Sequence, residues 1–409
     1  MLIKNPADMA KQNRSIQLIT LTAAACLFYG VNGGVRANYG IMLNAISQNS
    51  GVPYAGVSFI IAIAQLMYGF MQPVAGVVAL KRSNAFVLSI GAIVLGTGLL
   101  LTPLCHSYYP LMCTLGLIIG SGTGILCFGV IMGAVTPVLG EEKAAFASGF
   151  ISASAGLGAT IMAPLINALV SAGGLGFMMR ILCIPAFVLV PVSLWLGRKG
   201  RDAAQKNQKD DTPSVPLMEL LKTALHNRSY IFLMIGFFTC GFHMAIIETH
   251  LFTQYTSFGI PEAVVASAFS FYGIITMLGS ICSGTLITRF PMQNVLGTIY
   301  GSRTLIDAAL LLLPGSRVTM FLTAGFLGLT GASTVPPTSG LTSRLYGSKN
   351  LATLFGIVFL SHQFGSFCSS WLGGLLVTAT GSYAPIWCAD IALAALAAAV
   401  SYLVRVDKE

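Results

Sequence analysis

Arg36 has the most chemistry to offer in this sequence, because it stands inside an apolar run. A guanidinium keeps its proton at any physiological pH, so this charge is permanent. At the centre of a membrane-spanning helix a charge costs roughly 2.5–3.5 kcal/mol on insertion scales, so it must face protein or a wet cavity. Tyr29, Asn32, Arg36 and Tyr39 follow one another at intervals of three, four and three, which predicts one polar helix face. A fixed cation on such a stripe suits a carboxylate ligand. The competing reading is a salt bridge or carbonyl contacts that lock helices together. Gln65, Tyr68 and Gln72 form a second stripe, able to hydrogen-bond a substrate or to hold helix to helix.

Cys240, His243, Glu248 and His250 share another apolar run. His243 and His250, seven apart, are predicted to share a face. Glu248 is predicted to point away from it, near the outer end of the run, where a solvated carboxylate is unremarkable. Imidazoles and carboxylates in a membrane cavity can carry protons, so His243, His362 and Glu248 are the proton-coupling candidates. For the histidines the alternative is a neutral, hydrogen-bonded ring. His362 lies with Ser361, Gln363 and Ser366 at the middle of its run. The segment Thr330, Ser333, Thr334, Pro336, Pro337 and Thr338 holds a proline pair that must break the backbone ladder and free carbonyls. Arg303 and Asp307, four apart, predict an intrahelical ion pair, and Asp390 is read as structural. The candidate substrate-binding set is Tyr29, Asn32, Arg36, Tyr39, Gln65, Tyr68, His243, Thr334, His362 and Gln363.

Those residues need helices in a bilayer to position them. Apolar residues make up 55% of the 409 and charged residues 9%, with a mean hydropathy of +0.80. Soluble domains carry roughly 25% charged residues, so this surface must face lipid. Helices are predicted at 16–47, 54–80, 84–104, 108–138, 144–171, 176–197, 229–257, 262–288, 292–313, 317–345, 350–379 and 383–404, each able to cross a core of about 30 Å. The charged segment 198–228 divides them into a bundle over 1–197 and a bundle over 229–409. The predicted fold is an all-α membrane protein of twelve transmembrane helices in two six-helix bundles. Of the 22 Lys and Arg residues, all but Arg36, Arg180, Arg303 and Arg317 fall on one side if both termini are cytoplasmic. The net charge of +9 is therefore a topology signal, not a nucleic-acid footprint. The nine cysteines form no CxxC and read as small packing residues. No nucleophile–base pair, phosphate loop or HExxH is present, so neither an enzyme nor a cofactor or metal is expected.

Several segments resemble one family. CGFHMAIIETHL at 240–251, TVPPTSGLTSRLYG at 334–347, LFGIVFLSHQFGSF at 354–367, GVRANYGIML at 34–43 and GSYAPIW at 381–387 are similar to bacterial monocarboxylate-porter-type members of the major facilitator superfamily, including oxalate–formate-antiporter-like proteins. The resemblance implies a central cavity between the halves and transport of a small organic anion, with a proton or by exchange. Arg36 matches that group's first-helix cation. Differences are also plain. TMLGSICSGTLITRF, the eighth-helix stretch, has no Arg before Arg289. His362 stands in the region where oxalate-type relatives carry a Lys. GVVALKR has Leu80 where the superfamily loop has an acid.

The expectation is thus a monomeric multi-pass transporter of a bacterial inner membrane, in contact with lipid, moving a monocarboxylate-like anion. The alternative is an efflux transporter of a neutral or amphipathic molecule, for which Arg36 would already be paired to a protein acid.

Overall fold

The computed structural model describes residues 6–139, 141–204 and 217–405, and among these no strand occurs. The spans are α1 (Pro6–Arg36, resuming as Tyr39–Ser50), α2 (Tyr54–Lys81), α3 (Asn84–Leu101) and α4 (Tyr108–Leu111 through Met112–Ile119 and Gly120–Ile125, resuming as Phe128–Leu139). A continuous stretch, Glu141–Ala204, follows. The second half holds α7 (Arg228–Ile246 through Ile247–Leu251 to Phe252–Ser257), α8 (Glu262–Leu286), α9 (Met292–Leu312), α10 (Arg317–Gly331, resuming as Val335–Tyr346), α11 (Ser348–Thr380) and α12 (Ala384–Tyr402).

Glu141–Ala204 cannot be one span. Its 64 residues, at a rise of about 1.5 Å each, would reach roughly three times the hydrocarbon thickness. Gly174, at φ 69° and ψ −171°, turns the chain back and separates α5 (141–173) from α6 (175–204). That backbone region is essentially restricted to glycine. Among the described residues, ten helical stretches are long and apolar enough to cross a membrane, and one of them, Ala147–Gly197, is this folded pair. α11 is not among the ten. Its centre carries His362, Gln363, Ser366, Ser369 and Ser370, all buried, so its polarity turns inward rather than to lipid. Twelve spans result, as predicted.

The predicted interbundle segment 198–228 is shorter than expected at both ends. α6 continues to Ala204, and Leu217–His226 forms a short amphipathic helix whose Leu220, Leu221 and Ala224 pack on the core around Tyr230, Leu296 and Leu354. The rest of it, 205–216, lies outside the described residues.

The glycines spaced by four seat α2, which carries Gln65 and Tyr68. Gly116, Gly120 and Gly124 lie against the backbone of Ile60, Ala64 and Tyr68, the close approach that small residues permit between membrane helices. The two bundles meet where α2 runs along α11, through Phe59 on Phe367 and Trp371, Phe70 on Phe364, and Tyr68 on Phe359. They also meet where α5 crosses α8: Thr160 Oγ1 donates to the Ser270 carbonyl and Ser270 Oγ to that of Thr160.

Gly174→Val should destabilise the protein by about 1–3 kcal/mol through backbone strain. Thermal unfolding in detergent checks this; an unchanged melting temperature would mean that the α5–α6 turn does not need glycine.

Candidate functional site

Arg36 sits in the last turn of the first half of α1. Ala37 and Asn38 then leave the helix before it resumes at Tyr39. Asn38 holds the break, its Nδ2 donating to the Gly34 carbonyl at 2.7 Å and to the Ala159 carbonyl of α5 at 3.3 Å. The negative end of the interrupted helix favours a cation there.

From that position Nη1 of Arg36 donates to Gln65 Oε1 at 3.0 Å and meets Glu248 Oε2 at 3.5 Å. Gln65 Nε2 donates to the same carboxylate oxygen at 3.2 Å. The Tyr68 ring centroid lies 4.7 Å from Arg36 Cζ, within cation–π range. The side chains come from α1 and α2 of one bundle and α7 of the other. Both Arg36 bonds leave from Nη1, and among the described residues its Nη2–Nε edge has no protein partner. The Arg36 side chain keeps 19% of its surface exposed, while Glu248 keeps 5%.

Glu248 reaches Arg36 because α7 changes geometry. Ile247–Leu251 forms a π-helical turn, which inserts an extra residue and is frequent at functional positions. The second half of α1 lies directly on that turn. A Cβ on Gly40 would come within 2.8 Å of the Glu248 carbonyl oxygen and 3.0 Å of that of Thr249.

The π turn corrects the reading of α7 as one regular helix. Glu248 is buried against Arg36, not solvated. His243 and His250 do not share an environment. His243 Nδ1 lies 2.6 Å from Asp390 Oδ2 of α12, inside the second bundle. His250 Nε2 donates to the Ser370 carbonyl at 3.0 Å, so its Nδ1 accepts from Tyr54 Oη at 2.8 Å. Tyr54 also meets Tyr383 at 3.3 Å, tying α2 to the second bundle at the end that the charge pattern assigns to the outside.

The predicted polar stripe of α1 divides. Asn32 serves α4: its Nδ2 donates to the carbonyls of Thr123 and Leu126 at 3.1 and 2.9 Å, where α4 breaks. Tyr29 packs edge-on to Phe128 at 5.6 Å, and Tyr39 is 1% exposed beyond the break. On α11, His362 stacks on Phe359 at 5.3 Å and accepts from Gln363 Nε2 at 3.2 Å. Gln363 itself lies against Gly69 of α2.

Arg303 and Asp307 do not form the predicted intrahelical pair. Arg303 Nη2 instead donates to the carbonyls of Thr330 and Gly331 at 2.6 and 2.7 Å, where α10 breaks before the proline pair. Thr334 follows in that break and meets Cys240 Sγ at 3.1 Å. The geometry therefore groups Arg36, Gln65, Tyr68 and Glu248, gives Asn32 and Thr334 partners within the protein, and sets His243 among the buried acids of the second bundle. Sequence reasoning missed Asn38, although Asn, which competes for backbone hydrogen bonds, within an apolar run is a signal for a break.

Residues 25–316 match the family model of the Major Facilitator Superfamily. Monocarboxylate transporter 12 of Rattus norvegicus is 25% identical over 362 residues, covering 81% of this chain and 73% of that protein. The uncharacterized MFS-type transporter YhjX of Escherichia coli (strain K12) is 23% identical over 328 residues, covering 79% and 80%. Among solved structures, a bacterial homolog of the human lysosomal transporter Spinster superposes with a TM-score of 0.73 at 16% identity, over 95% of this chain and 97% of that one. A D-xylose–proton symporter gives 0.70 at 14%, over the same shares.

Asn32→Leu removes both donors to the α4 break. Leaving buried acceptors unsatisfied costs about 1–3 kcal/mol each, so a lower unfolding temperature in detergent is expected, with solute affinity of the folded fraction retained. Unchanged stability with lost affinity would return Asn32 to the cavity.

Proposed function

Because this chain belongs to the Major Facilitator Superfamily, and is therefore a multi-pass membrane transporter rather than an enzyme, we propose that it moves a small organic anion of monocarboxylate type by alternating access, with a proton or by exchange. The observation that carries the anion is the free edge of Arg36: a partly exposed guanidinium, held through Nη1 only, between two bundles. A carboxylate binds such an edge through two parallel N–H···O bonds. The name of the rat relative, a monocarboxylate transporter, supports the same solute class.

Charge balance then brings in the proton. Arg36 and Glu248 together are neutral. A carboxylate arriving on Arg36 leaves one unbalanced negative charge in a poorly solvated site, which is costly. One proton on Glu248 restores neutrality and loosens its hold on Nη1. Anion and proton then cross together, and the membrane potential does not oppose them; a lone monovalent anion would face about 2.3 kcal/mol per 100 mV. Gln65 holds both partners in register, and Tyr68, Phe359 and His362 supply an aromatic wall. The rocking bodies are 1–197 and 229–409, joined by 198–228, in a monomer of a bacterial inner membrane with both termini cytoplasmic.

One observation favours a second reading. Arg36 already has an acidic partner, so the unliganded site carries no net charge and suits efflux of a neutral or amphipathic molecule.

Proteoliposomes separate the two. With an acidic exterior, labelled monocarboxylates are expected to accumulate inside. Arg36→Gln should lower transport efficiency roughly 10- to 100-fold, from charge-assisted bonds worth about 1.5–3 kcal/mol, with the protein still inserted. Glu248→Gln should uncouple accumulation from the pH gradient and spare anion exchange. Movement of no acid, together with efflux of a lipophilic dye, would establish the second reading instead.

A further inference from the structure

A second group of buried charges lies inside the α7–α12 bundle. His243 of α7, Arg303 and Asp307 of α9, and Asp390 of α12 are all 0% exposed. His243 Nδ1 lies 2.6 Å from Asp390 Oδ2 and 3.6 Å from Asp307 Oδ2. Ligating atoms of the three side chains fall within 4.8 Å of one another. Both carboxylate oxygens of Asp307, Oδ1 of Asp390 and Nε2 of His243 lack a hydrogen-bond partner. Arg303 does not supply one: its Nη2 is spent on the α10 carbonyls and Cys240 Sγ, and its Nε and Nη1 are themselves buried without a partner.

The charges do not balance. Two carboxylates and one guanidinium leave a net charge of minus one on a neutral imidazole, in an interior that solvates ions poorly. The other groups facing the cluster are Cys240 of α7, Tyr272 of α8, Tyr300 of α9, Thr334 with the Thr330 and Gly331 carbonyls of α10, and His362 of α11. None of them adds a permanent cation. A single proton cancels the excess and provides the donor that the orphaned oxygens lack.

We propose that His243, Asp307 and Asp390 form a proton-binding site that shares one proton, separate from the Arg36–Glu248 junction. When the proton leaves, Asp307 and Asp390 repel each other around the same imidazole nitrogen. α9 and α12 then loosen their grip on α7, the helix that carries Glu248. The site stands whether or not the solute is an anion.

The test uses Glu248→Gln protein in detergent, which removes the remaining buried carboxylate among the described residues. Protons released between about pH 6 and about pH 10 are counted; an ordinary Asp, titrating near 3.9, is already ionised throughout that range. E248Q is expected to release one proton more per chain than E248Q/D307N or E248Q/D390N. Its melting temperature should fall as pH rises, because a proton bound only by the folded form stabilises less as it is lost; in D307N the slope should flatten. Equal proton counts would overturn the proposal, as would a stoichiometric metal ion in elemental analysis that D307N removes. Failure of both Asn variants to fold would also overturn it, since each is charge-balanced without a proton.

Discussion

In a bilayer core, a backbone carbonyl freed by a helix break has no water to turn to, and this molecule answers the breaks of α1, α4 and α10 with polar side chains. Asn38 closes the interruption of α1 and Asn32 that of α4. Arg303 closes that of α10. The breaks are what let the spans bend around a central junction, so the caps are a condition of the site rather than an addition to it. They also explain why so many polar residues within the spans contact backbone.

Arg36, by contrast, keeps one edge of its guanidinium unengaged among the described residues. Its cation is shared between Gln65 and Glu248 across the two bundles, so the same bonds that join the halves would be rearranged by a ligand. An ion pair buried in protein is weak evidence for stability, and a 3.5 Å separation is long for one. It is better suited to exchanging partners. The π turn of α7 and the close approach at Gly40 fix where Glu248 stands relative to that cation.

Composition and the spacing of apolar runs made the architecture legible, down to the twelve spans and the break before Pro336 and Pro337. Arg36 on one stripe, and Gln65 and Tyr68 on another, were also readable as candidates, because a permanent charge and amides inside apolar runs must face protein or a wet cavity; that the two stripes meet was not. What spacing could not reveal was α7. A helical wheel assumes 3.6 residues per turn, and a π turn breaks that assumption without any proline or glycine to announce it. Counting at that period puts His243 and His250 on one face and turns Glu248 away from it, while its place near the end of the run suggests solvent. The Arg303–Asp307 pair failed for a different reason: four-residue spacing permits a contact on an isolated helix, but the bare carbonyls of α10 compete for the same guanidinium.

The contact of α2 with α11 has a further bearing on how solutes would be measured. Aromatic rings line that seam, and Tyr54, His250 and Tyr383 fasten its outer end. Separating the halves there would expose rings such as Phe59, Phe367 and Trp371 and forfeit those bonds, so opening on that side carries a free-energy cost. A ligand that enters from that side pays for this in apparent affinity, which is weakened in proportion to the competent fraction. Binding constants measured from the two faces of the membrane would then differ, although the solute meets the same atoms.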